Sequence, residues 1–439
     1  MNLNKEHISV DKSRQRSDVS WTVVEKELLP CMLKIGEALV VAGADVNHVE
    51  RLLTQLGFAY GAKRIDVFVI PSNITATITL PDNTQFTQMR RVGNMAIDFF
   101  KLERLCTLVR SVKHCPLPPS ELERRFDEID VERISKKRHY LGGLLVVVSY
   151  CCFFGGSAIE SALSAIFALI LCGLIDKFER FTPNTIGFNF ISSFVMGILI
   201  GGVCNVVPGI IPDPIIAGVI MLIIPGLMLT NSIRDMLSGS PLSGLLRFVE
   251  SVLFTAAMVF GFLIAMILVG SDVRTNVPEM PWIVKFIAVI PATYGILLSY
   301  NSRRALMLIA FIGALISYGV YILFAQLGLP NEFWPVLASS IIAAIYSSYF
   351  AAKRHVPSAV FFIICVIPLI PGRLLFSTVN FVVHGQLDQA GAVGNTALMT
   401  ALGIAVAICV VWTLTRTWEN LEIAKRVEAT LDKSRGKDV

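Results

Sequence analysis

The amino-acid sequence predicts a polytopic α-helical membrane protein, with about ten transmembrane helices in two inverted five-helix repeats preceded by a small α+β cytosolic domain. Hydrophobic residues make up 54% of the 439 residues and charged residues only 16%, whereas soluble globular proteins carry roughly 25% charged residues. The charges are concentrated before residue 140 and after Trp418. A Pro-Gly motif inside an apolar stretch occurs twice, at Pro225 and at Pro371. These three observations predict the membrane location, the domain boundary and the repeat.

The distribution of charge divides the chain into five parts. They are a disordered N-terminus at 1–20, a cytosolic α+β domain at 21–139, a first five-helix membrane repeat at 140–270, a second at 281–416 and a cytosolic tail at 417–439. The first 30 residues lack the basic start, apolar run and small-residue cleavage site of a signal peptide. We therefore expect the N-terminal domain to stay in the cytosol.

The predicted cytosolic domain combines helices with a small sheet. Apolar residues at helical spacing predict helices over 23–42, 46–59, 95–113 and 120–137. Between the second and third helices, Ile74, Ala76 and Ile78 alternate with polar residues, which is the two-residue period of a β-strand. The predicted element order is ααβββαα, and its apolar faces are sufficient to bury a core.

The remainder of the chain contains ten apolar stretches, most of which reach the ~20 residues needed to cross a ~30 Å hydrocarbon core. They lie at 140–156, 158–176, 186–204, 212–229, 247–270, 281–299, 304–326, 333–351, 357–372 and 394–416. Lysine and arginine are concentrated in alternate loops and in the tail, as is typical of cytosolic loops. We therefore predict a multi-pass protein of the plasma (inner) membrane, with its N- and C-termini in the cytoplasm.

An internal repeat supports this topology. The sequence IIPGLML around Pro225 recurs as LIPGRLL around Pro371, and at nearly the same offset Ser193 matches Ser340. Each copy has five spans, an odd number, so the two copies would cross the membrane in opposite senses. Inverted repeats with a Gly/Pro interruption at matched positions are typical of secondary transporters. The alternative is that short matches rich in proline and glycine arise by chance in membrane helices.

The two interruptions predict the substrate site. A Pro-Gly break frees backbone groups that are tolerated in hydrocarbon only against protein or a watery cavity, and a helix that begins there offers unpaired N–H groups to a carboxylate. Polar and charged side chains follow each break. The predicted substrate-binding residues are Pro225, Gly226, Asn231, Arg234, Asp235, Glu250, Ser193, Pro371, Gly372 and Arg373.

Four carboxylates are candidates for proton coupling, since ionisable groups within membrane spans are costly and usually functional. They are Asp235, Glu250, Glu160 and Asp213. Arg234 and Asp235 point about 100° apart on a helix, so we expect them to line a site together without pairing. Two alternatives stay open: Arg234, Asp235 and Arg247 could be topology markers in a wet cytosolic loop, and Glu160 and Asp213 could be solvated helix caps.

The sequence also argues against several function classes. It contains no nucleotide-binding or common hydrolase motif and no nucleic-acid signature, so we expect a transporter that is not an enzyme and binds no nucleic acid. The nine cysteines show no metal-ligand spacing, and we predict no metal and no cofactor. A membrane-anchored hydrolase is a less favoured alternative, because His48 and the hydroxyl-rich hairpin at 72–79 fit a helix face and a half-buried sheet.

Three segments of the sequence resemble the threonine/serine exporter family, in the form that fuses both family parts into one chain. They are GEALVVAGADVNHVERLL, the pair TQMRRV and DFFKLERL, and IIPGLMLTNSIRDMLSGSPLSGLLRFVES. The similarity spans essentially the whole chain. In the third segment Ser240 departs from the family pattern, because an acidic residue is expected after Gly239.

The resemblance implies a secondary active exporter, or antiporter, of small polar metabolites driven by the proton motive force. Threonine and serine are the expected substrates, and a dicarboxylate such as succinate is the alternative, because two-subunit relatives export one. The carboxylate of the substrate would bind the helix N-terminus at a break and Arg234. Its amine would bind Asp235 or Glu250, and its hydroxyl would bind Asn231 or Ser193. The partners are the substrate, protons and the lipid bilayer, and a homo-oligomer remains open.

Overall fold

A computed structural model describes residues 27–132, 135–178, 184–237, 239–270, 280–329, 331–354 and 356–435, the last with side chains to 415. The N-terminus predicted to be disordered, 1–20, lies outside the described residues, as do the side chains of the tail.

Residues 27–132, here called the N-terminal segment, fold into four helices and a three-stranded antiparallel sheet. The elements are α1 (Leu29–Val41), α2 (Val46–Ala59), β1 (Arg64–Ile70), β2 (Asn73–Thr79), β3 (Gln85–Arg91), α3 (Phe99–His114) and α4 (Pro119–Asp130). The sheet order is β1-β2-β3, and Ile74 lies opposite Val69. Ile74, Ala76 and Ile78 are buried, so one face of β2 packs on the helices and the other carries threonines.

Aspartates begin two of these helices. The carboxylate of Asp45 accepts a hydrogen bond from the backbone N–H of His48 (2.8 Å), and that of Asp98 accepts one from Lys101 (2.9 Å). The predicted end of the fourth helix at residue 137 is wrong, because α4 ends at Asp130. Its last buried residue is Ile129, and Val131, directly after the helix, is 78% exposed and makes no apolar contact that would extend the helix.

Twelve helices follow in the described part of the chain. They are α5 (Lys136–Phe153), α6 (Ala158–Phe178), α7 (Thr185–Val206), α8 (Pro212–Ile223), α9 (Gly226–Leu237), α10 (Pro241–Val269), α11 (Trp282–Ser299), α12 (Arg304–Ala325), α13 (Phe333–Arg354), α14 (Ala359–Val366), α15 (Gly372–Val383) and α16 (Leu387–Arg435). Among the described residues, seven helices are long and apolar enough to cross a membrane, or nine spans if each of two bent pairs counts as one. The protein is therefore a polytopic helical membrane protein.

Two predicted spans start too late. The span predicted at 247–270 is α10, which begins at Pro241, and the span predicted at 394–416 is part of α16, which begins at Leu387. Proline fits the first turn of a helix, where its missing N–H has no intrahelical partner. The earlier start of α10 places Arg247 inside a transmembrane helix rather than in the loop before it.

The two Pro-Gly breaks bend their helices by similar angles and pack against each other. The bend is 49° between α8 and α9 and 50° between α14 and α15. A Cβ atom added to Gly226 would lie 2.3 Å from Cγ2 of Ile370, and one added to Gly372 would lie 2.9 Å from Cγ2 of Ile224. Each glycine therefore packs against the isoleucine that precedes the proline of the other break.

The N-terminal segment docks on one end of the helix bundle. On the α10 side, Ser243 Oγ donates a hydrogen bond to the carbonyl of Val69 (3.2 Å). On the side of the loop between α11 and α12, the amide of Asn301 donates to the carboxylate of Asp98 (3.1 Å), and Arg303 pairs with Glu103 (2.9 Å). The segment thus bridges helices from both halves of the membrane part.

Candidate transport site

A cavity of about 530 Å³ lies between the N-terminal segment and the bundle, and we call it the domain-side cavity. Its polar lining includes Asp45, Asn47, His48, Arg51 and Arg110 of the N-terminal segment and Arg234 and Asp235 at the end of α9. Apolar side chains from within α14 and α16, among them Phe362 and Trp412, also line it. The cavity therefore presents carboxylates and guanidinium groups to one small volume.

The charged groups form a chain that runs from the N-terminal segment into the bundle. Arg234 Nη2 lies 4.0 Å from a carboxylate oxygen of Asp45 and 3.7 Å from one of Asp235. On the other side, Asp235 Oδ2 lies 3.4 Å from Arg247 Nε. The expectation that Arg234 and Asp235 do not pair is wrong, because the long arginine side chain spans the 100° between the two positions.

Arg247 belongs to this series of charged groups, but the predicted site omitted it. Its side chain is completely buried, and Asp235 is 1% exposed. Among the described residues, none of the three guanidinium nitrogens of Arg247 has a hydrogen-bond partner, and neither does Asp235 Oδ2. The interpretation of Arg247 as a marker in a wet loop is therefore wrong. The sequence signal was its position six residues after Pro241, within the apolar helix.

Asp45 and His48 are further residues that the sequence analysis did not place in the site. Burial alone would raise the pKa of Asp45, but the positive charge of Arg234 and the hydrogen bond from the backbone of His48 hold that pKa below its ordinary value. Burial, with the positive charges of Arg51 and Arg110, lowers the pKa of His48 to about 4 despite Asp45. Arg51 can only donate, so the 2.6 Å contact makes His48 Nδ1 an acceptor.

Three of the predicted residues lie close to the cavity or within the bundle without lining it. Asn231 is buried one helical turn before Asp235, on the same face of α9. Ser193 is fully buried in α7, where it packs against Gly261 of α10. Glu250 lies three residues after Arg247 on the same helix. The structure thus brings Arg234 and Asp235 together, leaves Ser193 in helix packing and leaves Glu250 half-buried on α10 outside the cavity.

A second cavity of about 510 Å³, the far-side cavity, lies at the other end of the bundle and is lined by three of the remaining predicted residues. Its charged lining residues are Asp213, Lys285, Glu332 and Arg373, and Pro371 also lines it. The guanidinium of Arg373 lies 4.7 Å from the ring centre of Phe154, and Tyr321 donates a hydrogen bond to Glu332 (3.0 Å). The residues after the two breaks therefore belong to two cavities.

Glu160 lines neither cavity. One carboxylate oxygen accepts a hydrogen bond from the backbone N–H of Ser157 and the other from that of Ile211, both at 2.7 Å. The side chain is 4% exposed. Glu160 therefore connects the loop before α6 to the loop before α8. The alternative interpretation of Glu160 as a solvated helix cap is wrong, because the side chain is buried.

Two family models match the chain in succession. The model described as "Putative threonine/serine exporter" matches residues 30–269, and the model described as "Threonine/Serine exporter, ThrE" matches residues 283–414. The first match alone covers more than half of the chain. The chain belongs to the threonine/serine exporter family. It is therefore an exporter, and the first matched region contains all but the first three residues of the N-terminal segment, together with the ion pair of Asp235 with Arg247.

Curated relatives agree with membership of the threonine/serine exporter family. The chain is 23% identical over 404 residues to the "Threonine/serine exporter" of Corynebacterium glutamicum, covering 85% of this chain and 79% of that protein. It is 27% identical over 267 residues to the "Probable succinate transporter subunit YjjP" of Klebsiella aerogenes, covering 60% of this chain and 98% of that protein. No solved structure matches the chain significantly.

Proposed function

We propose that this exporter is a proton-driven secondary transporter of threonine and serine in the plasma (inner) membrane, with both termini in the cytoplasm. The observation that carries the proposal is the domain-side cavity, which places two carboxylates, Asp45 and Asp235, beside the guanidinium groups of Arg51, Arg110 and Arg234. A zwitterionic amino acid needs both charges in one small volume. Membership of the family and the name of the Corynebacterium relative support the same substrates.

Two reciprocal contacts support ten spans in two inverted repeats. The first is the mutual packing of the breaks. The second lies between α5 and α11, where a Cβ added to Gly142 would lie 2.6 Å from the carbonyl oxygen of Gly295, and one added to Gly295 would lie 2.7 Å from that of Gly142. With α5 as a span, these are the first helices of the two repeats. Such reciprocity is expected of two copies related by a two-fold axis.

This arrangement supports alternating access across the breaks. The domain-side cavity opens towards the N-terminal segment, and the far-side cavity opens towards the opposite end of the bundle. The two Pro-Gly breaks are the segments where the bent spans change direction. We assign the domain-side cavity to substrate entry and the far-side cavity to release. Rocking of one repeat against the other would then expose the substrate first to one cavity and then to the other.

The roles of single residues follow from charge. The carboxylate of the substrate would meet Arg234, since a guanidinium offers a planar pair of donors, and the ammonium would meet Asp45 or Asp235. We assign the transported proton to Asp235, because it is the most buried carboxylate that lines the domain-side cavity. Glu160 is a poor proton carrier, because both its oxygens already accept backbone hydrogen bonds.

A dicarboxylate such as succinate is the second candidate substrate. The polar lining of the domain-side cavity contains three arginines against two aspartates, which favours an anion. The Klebsiella relative is itself named as a probable succinate transporter subunit. A cavity that accepted a dianion would have to keep both carboxylates of the substrate away from Asp45 and Asp235.

Counterflow in proteoliposomes tests the proposal. Purified protein would be reconstituted with unlabelled threonine inside, and entry of labelled threonine, serine or succinate would be measured with and without a proton gradient. We expect exchange of both amino acids, and acceleration of net export when protons flow in the opposite direction. Exchange of succinate alone would overturn the substrate assignment, and net export unaffected by the gradient would overturn the proton coupling. The control is Arg64→Gln with Asp66→Asn, an exposed ion pair on β1.

A further inference from the structure

The guanidinium of Arg247 is a costly group to bury in the membrane part. It carries five N–H donors and a full positive charge, yet it is completely buried and, within the described part of the chain, its nitrogens donate no hydrogen bond. Its ion-pair partner Asp235 approaches Nε at 3.4 Å, but without the alignment of a hydrogen bond. A buried charge of this kind normally has well-aligned acceptors. The donors of Arg247 are therefore available to a ligand.

The position of the pair gives a ligand access to it. Asp235 lines the domain-side cavity, and Arg247 lies directly behind it on the next helix. The backbones of α9 and α10 are in close contact here, since a Cβ added to Gly244 would lie 2.5 Å from the carbonyl oxygen of Ser232. This close packing holds α9 and α10 in register, so opening of the pair would need a side-chain rotation of Asp235 and no separation of the helices.

We propose that Asp235 and Arg247 form an exchangeable ion pair that opens to receive a zwitterion. This inference rests on the proposed function and names the chemical feature that it selects. The ammonium of the ligand takes the place of Arg247 beside Asp235. The carboxylate, which meets Arg234 first in the cavity, takes the place of Asp235 beside Arg247. One ion pair is replaced by two, and the net charge of the buried site stays at zero.

The exchange explains selection by charge at both ends of the ligand. An amino alcohol would pair with Asp235 but leave Arg247 buried without an anion. A carboxylate without an amine would pair with Arg247 but leave Asp235 without a cation. Because an unpaired buried charge is strongly unfavourable, each of these ligands binds more weakly than the zwitterion. Arg247 is thus a specificity-determining residue, and Arg234 holds Asp235 from the cavity side.

The first arm of the test compares ligands on the wild-type chain. Counterflow of labelled L-threonine would be measured in the presence of one of three unlabelled competitors. They are L-threonine itself, threoninol, which lacks the carboxylate, and 3-hydroxybutyrate, which lacks the amine. We expect both analogues to compete at least about tenfold more weakly than threonine, the effect of losing one charge-assisted contact. Equal competition by either analogue would overturn the inference.

The second arm separates ligand binding from structural bracing. The variant Asp235→Asn with Arg247→Gln removes both charges together, so no buried charge is left unpaired. A pair that only braced the helices would tolerate this change, and transport would continue. We expect the double variant to remain inserted but to lose threonine counterflow at least about tenfold, and Arg247→Lys to raise the KM for threonine more than it lowers the maximal rate.

The outcomes distinguish this inference from the proposed function. Threonine counterflow by the wild-type chain together with near-normal counterflow by the double variant would overturn the exchange and leave the substrate assignment intact. Wild-type protein that exchanges neither threonine nor serine would overturn both. Correct folding of each variant is checked by its elution as a single species in detergent. The exposed control pair, Arg64→Gln with Asp66→Asn, should keep the thermal midpoint of the wild-type protein.

Discussion

The mutual packing of the two breaks predicts a steric cost for one added methyl group. The backbone at Gly226 and at Gly372 is one that alanine adopts readily, so the effect of an alanine is set by space alone. In Gly226→Ala the new methyl would lie 2.3 Å from Ile370 Cγ2, about 1.1 Å short of ordinary contact at 3.4 Å. In Gly372→Ala the shortfall against Ile224 is about 0.5 Å. Overpacking of this kind costs about 1–3 kcal/mol, and Gly226→Ala should be the more costly change.

The assay is the thermal midpoint of the detergent-solubilised exporter, followed by threonine counterflow. The matched control is Gly202→Ala in α7, where an added Cβ meets nothing within 4 Å and alanine favours the helix. The second substitution Ile370→Ala removes the clashing Cγ2 and leaves Ile370 Cβ at 3.7 Å from the new methyl, so it should restore part of the lost stability. If Gly226→Ala matches the control, or if Ile370→Ala gives no rescue, the two breaks do not pack as described.

Further predictions concern the cavity and the topology. Arg234→Lys keeps the charge but loses the planar pair of donors, and we expect threonine counterflow to fall at least about tenfold; near-normal counterflow would exclude Arg234 from the site. Asp45→Ala removes the N-cap of α2 and should cost about 1 kcal/mol in thermal unfolding; an unchanged midpoint would contradict the cap. His48 has a folded-state pKa of about 4 against about 6.5 when unfolded, so the free energy of unfolding should fall as pH drops through this window, by up to about 1.4 kcal/mol per unit. His48→Gln should remove that slope in melts at pH 7, 6 and 5, and an identical slope in the variant would refute the assignment. Reporter fusions at Lys353 should be cytosolic and those at Gln386 external, and two signals from the same side would refute the inverted topology.

Local patterns in the sequence were sufficient to predict most of the elements. The alternation of Ile74, Ala76 and Ile78 predicted β2, because strand side chains alternate between two faces. The apolar run at 304–326 predicted α12, which ends within one residue of the expected position. Proline and glycine marked both helix breaks, since proline cannot continue the backbone ladder. These features depend on residues that are close together in the chain, so they can be recognised from the sequence alone.

The candidate site depends on residues that are far apart in the sequence. Asp45, Arg234 and Arg247 meet only because the N-terminal segment docks beside α9 and α10. Hydropathy measures the average character of a stretch, so it assigned Arg247 to a loop, whereas the structure places it within a helix and completely buried. The predicted site was likewise divided between two cavities, because the two breaks point their following helices to opposite ends of the bundle. The sequence by itself determined the membrane class, the breaks and the strands through local periodicity. Only the tertiary structure decided which charges are paired, because pairing depends on distance in space and on the loss of water around buried groups.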